Sequence, residues 1–189
     1  MEIVTLDYAY SNKQNIINGE CPKVYCAIHK QTEVNYGTQN DCDLDYCREH
    51  NIPAYLMDRG GGTIVCSAGN IGITAITPTK NGWQCGKFSK AFVKYLKGLG
   101  LNVETNRNDI LVDGFKVASS VEISIGDGIN RVYSTYQISI NQDIDAIRHI
   151  CKKEMVKIPK GLGDYGITTE QVFSWCETYF DNLVKELKK

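Results

Sequence analysis

The spacing of apolar residues near the end of the chain predicts one long helix. Apolar side chains recur there every three or four positions, which is typical of a helix with one buried face. Thr168 and Gln171 fit the pattern of a capping box, which places the start of the helix at the following residue. We therefore expect a helix over Thr169–Leu187, with an apolar stripe made of Val172, Cys176, Phe180, Leu183, Val184 and Leu187.

The same periodicity divides the rest of the chain into shorter elements. Three further helices are predicted at Leu44–His50, Lys87–Leu99 and Ile144–Lys153. Strands interrupted by helices at irregular intervals favour an α+β fold with a mixed sheet over a regular βαβ alternation. The predicted strands are Ile3–Leu6, Val24–Ile28, Ala54–Asp58, Thr63–Ser67, Ile71–Thr77, Ile110–Val112, Lys116–Ile125 and Arg131–Ile140.

Length and composition favour a single domain over residues 1–189. The chain has 189 residues with 42% hydrophobic content, which suits one globular core. The net charge of −1 gives no general electrostatic attraction to nucleic acid. No segment approaches the roughly 18 apolar residues of a transmembrane helix, and the N-terminus is too polar for a signal peptide. We expect a soluble, cytoplasmic protein that binds neither nucleic acid nor membrane.

The eight cysteines are expected to be free thiols in the core. Cys21/Cys26 and Cys42/Cys47 are each separated by four residues, a longer spacing than the C-x2-C of most zinc sites. A cytosolic protein keeps its thiols reduced, so disulfides are not expected either.

A glycine run is the most informative feature of the chain. Gly60, Gly61 and Gly62 follow Arg59 and precede the apolar stretch predicted as a strand from Thr63. Glycines let the backbone approach a ligand closely and direct successive amide N–H groups at it. The run therefore predicts a binding site for an anionic group at the mouth of a strand. The alternative is a glycine-rich hairpin with a surface arginine.

A second informative segment surrounds Lys116. Asp113-Gly114 predicts a hairpin turn between two apolar strands, and Lys116 begins the second strand. A cluster of Arg107, Asn108 and Asp109 precedes the turn. Lys116 is a candidate functional residue for that reason, although a solvated lysine at a strand edge has the same pattern.

Taken together, these segments resemble the lipoate-protein ligase/octanoyltransferase superfamily, which shares its fold with biotin protein ligases. The resemblance is closest to the catalytic domain of lipoate-protein ligase A and follows the family's order along most of the chain. The first match is Val34–Asn40, which resembles the early strand ending in G-x-x-Q-N, followed by Asn51-Ile52-Pro53 before the next strand. The second is Gly60–Val65 with Gly69-Asn70, which follows G-G-G-x-V-x-H-D-x-G-N. The third is Arg107–Asp109 with Lys116 and Ser119-Ser120, which follows R-N-D…K-x-x-G-S.

The resemblance implies both a fold and a reaction. The fold is α+β, with a mixed, mainly antiparallel central sheet flanked by helices, as in class II synthetases and biotin ligases. The reaction joins lipoate or octanoate to ATP as an acyl-AMP and then to a lysine of an acceptor. That acceptor is a lipoyl domain or an H-protein-like carrier.

The resemblance also implies residue roles. Lys116 is the catalytic residue, with its ammonium between the acyl carbonyl and the phosphate, where it stabilises developing charge. Asp109 is a ligand for Mg²⁺, which prefers oxygen donors. Substrate or nucleotide is bound by Arg59, Gly60, Gly61, Gly62, Thr63, Gly69, Asn70, Asn108 and Asp109.

The chain departs from the ligase pattern in three respects. Asp58-Arg59-Gly60-Gly61 looks like the D-R-G-G of octanoyltransferases. Cys66 and Ser67 stand where the family has His and Asp, so the hydrogen bonds of that pair are in question. The residues after Leu187 are too few for the accessory domain of full-length ligases. We therefore expect that its role is absent or is supplied by a separate protein.

Two other functions stay open. Octanoyltransferases use a cysteine thioester with a lysine as partner, and Cys151 with Lys116 is the corresponding pair. Cys151 lies about two residues early and lacks the Pro-Cys-Gly surroundings, and the alternative is a half-buried helix thiol beside Lys152 and Lys153. The other possibility is a catalytically silent protein that binds an acyl group or acyl-adenylate. Biotin ligation is less favoured, because the arginine-rich glycine loop of biotin ligases is not seen.

One predicted helix carries a basic face. Lys87, Lys90, Lys94 and Lys97 lie along one side of it, opposite an apolar side. Such a face could steer an acidic lipoyl domain, and it is equally the pattern of an ordinary solvated helix.

Overall fold

The computed structural model describes residues 1–5, 13–37, 41–56, 62–81, 84–125, 130–152 and 158–189. Within these ranges the chain forms two β-sheets, flanked by α-helices. The strands are β1 (Glu2–Ile3), β2 (Lys23–Ile28), β3 (Glu33–Tyr36), β4 (Ala54–Leu56), β5 (Ile64–Cys66), β6 (Ile71–Pro78), β7 (Val103–Asn106), β8 (Asp109–Val112), β9 (Phe115–Ile125) and β10 (Arg131–Ile138). The helices are α1 (Lys13–Asn18), α2 (Leu44–Glu49), α3 (Cys85–Gly98), α4 (Ile144–Ile150) and α5 (Thr169–Leu187).

The larger sheet has the strand order β1-β2-β6-β10-β9-β8-β7. All its neighbouring strands are antiparallel except β1 and β2, which are parallel. The smaller sheet has the order β4-β3-β5, with β3 parallel to β4 and antiparallel to β5. The predicted α+β class with a mixed, mainly antiparallel sheet is therefore confirmed.

One face of the larger sheet packs against α3 and α5 and forms the main core. On β10 the buried positions alternate with half-buried ones, as expected for a strand with one face on a core. The ring of Phe88 in α3 lies 4.3 Å from that of Tyr136 in β10 and 5.6 Å from that of Phe180 in α5, measured between centroids. These three fully buried aromatic side chains join both helices to the sheet.

A second core lies beside the smaller sheet. Val34 of β3 and Val65 of β5 pack there against α2 and α4. Cys42, Cys47 and Ile150 complete this cluster, and all three are buried. The other face of the larger sheet borders the space between the two cores.

Helix α3 begins on a carboxylate supplied by another strand. Glu122 Oε1 accepts hydrogen bonds from the backbone N–H of Gln84 at 2.5 Å and of Cys85 at 2.8 Å, and from Ser134 Oγ at 2.7 Å. The first amides of a helix have no partner within it, and a negative charge there is favourable. Glu122 therefore fixes the start of α3 on the sheet.

Most predicted elements are present with similar bounds. Helix α5 matches its predicted range, and its capping box is formed by Thr168 and Gln171. The Asp113-Gly114 hairpin is also confirmed, with φ angles of 50° and 76°. The predicted ends at Leu6, Asp58 and Lys153 lie outside the described residues.

Three elements were not predicted from the apolar periodicity. Helix α1 has six residues, too few to show a stripe. Strand β3 buries the polar residues Glu33 and Asn35, so its alternation is hidden, although the family resemblance placed a strand there. Strand β7 buries only Val103. Conversely, the helix predicted at Ile144–Lys153 ends at Ile150, because Cys151 pairs with Cys42 in an isolated bridge.

No helix in the described ranges is both long and apolar enough to cross a membrane.

We predict that Thr168→Ala lowers the free energy of unfolding by about 1 kcal/mol, because the side chain caps α5. Urea denaturation measures this change. Thr178→Ala is the matched control in the same helix, since the Thr178 hydroxyl bonds only to the carbonyl of Ser174 one turn earlier. It should shift the stability by less than about 0.5 kcal/mol. Equal losses in the two variants would contradict the capping role.

Candidate functional site

A cavity of about 220 Å³ lies between the two sheets. The smaller sheet and α4 contribute mainly apolar side chains to it, whereas β9 and β10 contribute mainly polar ones. The described residues that line it are Thr63, Ile64, Val65, Lys116, Ala118, Ser119, Gln137, Ser139, Gln142, Ile147, Cys151 and Pro159. A division of this kind suits an amphipathic ligand, with a hydrocarbon part and a polar end.

Three of the residues singled out from the sequence share this cavity. Thr63 enters it from the residue before β5, Lys116 from β9 and Cys151 from the residue after α4. The Thr63 hydroxyl is buried and has no hydrogen-bond partner among the described residues. A buried polar group in this state is available to a ligand in the cavity.

Lys116 lies where the pairing of β8 and β9 is irregular. Leu111 pairs with Lys116 but Ile110 pairs with Ala118, so Val117 is an extra residue in β9. Bulges of this kind redirect neighbouring side chains. The Lys116 ammonium lies 3.0 Å from Asp109 Oδ1, and the two side chains are 52% and 36% exposed. The ion pair is thus accessible to solvent and adds little to stability.

Asn108 lies in the turn between β7 and β8, and Asp109 is the first residue of β8. Asn108 is exposed, and its carbonyl accepts a hydrogen bond from the Ser120 N–H at 3.1 Å. Neither residue is among those that line the cavity, but Asp109 forms an ion pair with Lys116, which does line it. For Mg²⁺, one carboxylate combined with substrate phosphates is an acceptable ligand set. Among the described residues, no group of three or more His, Cys, Asp or Glu side chains could hold a metal by itself.

Gly69 and Asn70 form a tight turn and do not line the described cavity. Gly69 has a φ of +86°, and an added Cβ would meet Asn141 Nδ2 at 2.6 Å and Thr169 Oγ1 at 2.9 Å. Asn70 is fully buried, and its Oδ1 accepts hydrogen bonds from the backbone N–H of Ile140 and Asn141 at 2.8 and 2.9 Å. Their contacts are therefore with the chain itself.

The glycine run lies only partly in the described part of the chain. Arg59, Gly60 and Gly61 are outside it. Gly62 is exposed, and a Cβ added there would meet no described atom within 4 Å. Space is therefore open beside Gly62, directly before the cavity residue Thr63.

Cys66 and Ser67, which replace the family's His and Asp, have their own partners. Asn35 Nδ2 donates to Cys66 Sγ at 3.6 Å, and burial raises the pKa of this thiol to about 12. Ser67 Oγ accepts a hydrogen bond from the backbone N–H of Asp143 at 2.7 Å. Asp143 in turn caps α4, so the substitution keeps the end of β5 connected to that helix.

Cys151 lies at the cavity edge in a group of thiols. Its backbone forms an isolated β-bridge with that of Cys42, and the Cys47 thiol is close enough to affect the pKa of the Cys151 thiol. Burial raises the pKa of the Cys151 thiol, and Asp41 and Cys47 act in the same direction. Its surroundings therefore favour the thiol over the nucleophilic thiolate.

A chain of buried polar groups at the cavity was not predicted from the sequence. His29 Nδ1 lies 3.1 Å from Glu33 Oε2, and His29 Nε2 lies 3.3 Å from the amide nitrogen of Gln137, which lines the cavity. One signal was present in the sequence. Gln137 and Ser139 alternate with Ile138 and Ile140, which marks a polar face on the last strand.

The basic face of α3 is exposed as predicted. Lys87, Lys90, Lys94 and Lys97 are all exposed, while Phe88, Phe92 and Leu96 on the other side are buried.

Comparison with known proteins gives consistent relatives. A family model described as the lipoyl protein ligase A/B catalytic domain matches residues 15–174. Lipoate–protein ligase 1 of Staphylococcus aureus is 29% identical over 127 residues, which cover 66% of this chain and 38% of that protein. The lipoate–protein ligase of Streptococcus pyogenes is 33% identical over 123 residues, which cover 62% and 35%. The chain thus matches little more than a third of these relatives' length.

Solved structures share the fold. A candidate lipoate protein ligase of T. acidophilum with bound lipoic acid has a TM-score of 0.70 at 17% identity, over 92% of this chain and 81% of that one. Lipoate-protein ligase A bound with ATP gives 0.70 at 15% identity, over 92% and 81%. A structure of the archaeal lipoylation system of Thermoplasma acidophilum, a bi-partite lipoate protein ligase and its E2 lipoyl domain, gives 0.65 at 16% identity, over 82% and 67%.

We predict that Cys151 reacts slowly with alkylating agents at neutral pH. Because its pKa is raised, the thiolate becomes abundant only above the ordinary thiol range of about pH 8.5. The measurement is the rate at which iodoacetamide modifies the Cys151 peptide as the pH is raised, followed by mass spectrometry. Free glutathione serves as the reference thiol. A midpoint at or below that of glutathione would contradict the prediction.

Proposed function

Because this chain belongs to the lipoyl protein ligase A/B catalytic-domain family, we propose that it is a lipoate-protein ligase-like acyltransferase. It activates lipoate or octanoate with ATP and transfers the acyl group to a lysine of an acceptor lipoyl domain or H-protein-like carrier. In this proposal residues 1–189 act as a single catalytic domain.

The observation that carries the proposal is the position of Lys116 in a divided cavity. Lys116 lines the cavity from β9, among the polar residues of β9 and β10, while Val65 and Ile147 contribute apolar side chains. A medium-chain acid would place its hydrocarbon against the apolar wall and its carboxyl group near Lys116. Fold relatives have been solved with bound lipoic acid and with ATP, which supports the same pair of substrates here.

In the first step, a carboxylate oxygen of the acid attacks the α-phosphorus of ATP, and pyrophosphate leaves. Lys116 stabilises the negative charge that develops on the phosphate oxygens. Backbone N–H groups of residues 60–62 and the Arg59 guanidinium would hold the phosphate side by hydrogen bonds. Thr63 would add its unpartnered hydroxyl. Gly69 and Asn70 would support the site through the turn that they form, and Asn108 would contact the nucleotide from the β7–β8 turn.

In the second step, the amine of the acceptor lysine attacks the acyl carbonyl carbon. The bond to phosphate breaks, AMP leaves, and the amine loses a proton to give an amide. Lys116 again faces the oxygen on which charge builds. Most of the rate would come from holding the reacting groups in line, since this route needs no covalent enzyme intermediate.

Asp109 is the residue that would bind Mg²⁺ together with phosphate oxygens. A bound Mg²⁺ supplies charge neutralisation to the nucleotide. Asp109 also pairs with Lys116, so it would hold the ammonium at the cavity edge before substrate binds.

The basic face of α3 lies across the larger sheet from the cavity, so we propose that it attracts the acceptor to the protein and does not itself hold it at the site. Acidic lipoyl domains would be steered by its exposed lysines, an effect that weakens as salt screens the charges. The T. acidophilum ligase is described as bi-partite and was studied with its E2 lipoyl domain. A separate accessory protein that completes activation is therefore part of the proposal.

A second candidate function is favoured by Cys151, which shares the cavity with Lys116. An acyl carrier would pass its chain to the Cys151 sulfur as a thioester, and the acceptor lysine would then displace the thiol. The raised pKa of Cys151 disfavours this route, because the thiolate is the attacking form.

We predict that Lys116→Ala lowers acyl transfer by about 10²–10³-fold, the usual effect of losing one donor to a developing oxyanion. Stability should change by less than about 1 kcal/mol, because the Lys116–Asp109 pair is accessible to solvent. Mass spectrometry of an apo lipoyl domain with ATP and octanoate measures transfer. Lys185→Ala, in the exposed last turn of α5, is the matched lysine control. Near-normal transfer by Lys116→Ala would reject the catalytic role.

We predict that Cys151→Ser retains ATP-dependent transfer, since the adenylate route does not use this sulfur. Pyrophosphate release and modification of the lipoyl domain are measured together. Loss of transfer from an octanoyl carrier protein in the variant, with no use of ATP by the unmodified protein, would instead support the thioester route. Retention of labelled octanoate without any pyrophosphate or transfer would support a silent binding protein.

A further inference from the structure

Three polar side chains form a continuous chain from the protein interior to the cavity. Glu33 lies in β3, His29 follows β2, and Gln137 lies in β10. His29 is 3% exposed and Glu33 is 8% exposed. The contacts are 3.1 Å from Glu33 Oε2 to His29 Nδ1 and 3.3 Å from His29 Nε2 to Gln137 Nε2. Only the last member of the chain lines the cavity.

Ordinary hydrogen-bonding rules assign a direction to these contacts. An ionised carboxylate can only accept, so in a neutral imidazole the proton is assigned to Nδ1 and is donated to Glu33. His29 Nε2 then accepts from the amide nitrogen of Gln137. One N–H of Gln137 is thereby committed, and the amide retains a second N–H and its oxygen for a ligand.

The backbone holds His29 rigidly in this arrangement. Its N–H donates to the carbonyl of Asn70 at 2.9 Å, and its carbonyl accepts from the N–H of Gly69 at 2.8 Å. Gly72 packs directly beside the contact, since a Cβ there would lie in ordinary van der Waals contact, 3.4 Å from Gln137 Oε1 and 3.5 Å from His29 Nε2. The His29 backbone is thus held in place, and its ring nitrogen gives the Gln137 amide a partner at 3.3 Å.

Gln137 belongs to the polar wall of the cavity. Its direct partner in the register between β9 and β10 is Ser119, and both residues line the cavity together with Lys116. The carboxyl group of an acyl acid needs N–H and O–H donors, and this wall concentrates them. The opposite wall, with Val65 and Ile147, suits the hydrocarbon part.

We propose that Gln137 is a substrate-recognition residue that hydrogen-bonds to the carboxyl group of the acyl acid, and that His29 and Glu33 are the positioning residues that orient it. This inference rests on the proposed function for the choice of ligand. Pre-orientation matters because a free glutamine would lose rotamer freedom on binding, whereas a fixed one does not.

The test measures octanoate binding by calorimetry in the absence of ATP. Gln137→Leu keeps a similar volume and removes the amide, so octanoate affinity should fall about tenfold, as for the loss of one hydrogen bond to a charged group. ATP affinity, measured separately, should stay within twofold. Gln137→Glu is the second variant; it keeps the shape and should weaken octanoate binding by at least as much, because two carboxylates repel.

A double-mutant cycle separates positioning from mere packing. His29→Leu and Glu33→Leu are made together, because replacing both partners avoids a buried carboxylate without its imidazole. This pair should weaken octanoate binding several-fold. When Gln137→Leu is added to this pair, it should lower octanoate affinity clearly less than it does in the unmodified protein. Thr77→Val is the control, since it removes a buried hydroxyl of β6 outside the cavity and should leave octanoate affinity unchanged.

The outcomes are distinct from those of the proposed function. Unchanged octanoate affinity in Gln137→Leu would overturn the inference. So would an equal loss of octanoate affinity on making Gln137→Leu in the unmodified protein and in the His29→Leu/Glu33→Leu variant. Binding of octanoate without pyrophosphate release on adding ATP would reject the ligase function and still leave the cycle decisive. A protein that binds no octanoate or lipoate would overturn the recognition role.

Discussion

The arrangement of the cavity depends on the turn at Gly69-Asn70, in which Asn70 is fully buried. The Asn70 side chain accepts two backbone hydrogen bonds from the segment after β10, and the backbone of the turn pairs with His29 after β2. Thr169, at the start of α5, donates to the carbonyl of Gly69. One turn thus connects the ends of two central strands, the last helix and the entry to α4. A ligand cavity between two sheets needs such a connection, because each sheet otherwise packs on its own core.

This connection shows how a glycine–asparagine pair supports the cavity structurally without lining it. Gly69 has a positive φ and no room for a Cβ. Asn70 supplies an acceptor to two amides that would otherwise be buried without a partner. The turn fixes His29, and His29 contacts Gln137 on the cavity wall. The influence of the turn on the site therefore passes through hydrogen bonds within the protein.

The sequence predicted the elements that are long and regularly patterned and missed those stabilised by tertiary contacts. Helix α5 carries its own cap and apolar stripe, and the Asp113-Gly114 turn depends on local backbone preferences. Strand β3 was hidden because Glu33 and Asn35 are polar yet buried, and the partner of Asn35, Cys66, is 31 residues away. Lys116 and Thr63 could be selected from ordered patterns. The partnership of His29 with Gln137 could not, because 108 residues separate them.

The division of the hydrophobic interior has a consequence for ligand size. The main cluster lies under α3 and α5, the second lies under α2 and α4, and the cavity occupies their boundary. A boundary between two packed units can widen by a small sliding motion that breaks no strand pairing. The β9–β10 wall stays rigid within the larger sheet, while the opposite wall belongs to the other unit. Under the proposed function, acyl chains that differ by a few carbons would be accommodated on one side without disturbing the polar groups proposed to bind their common end.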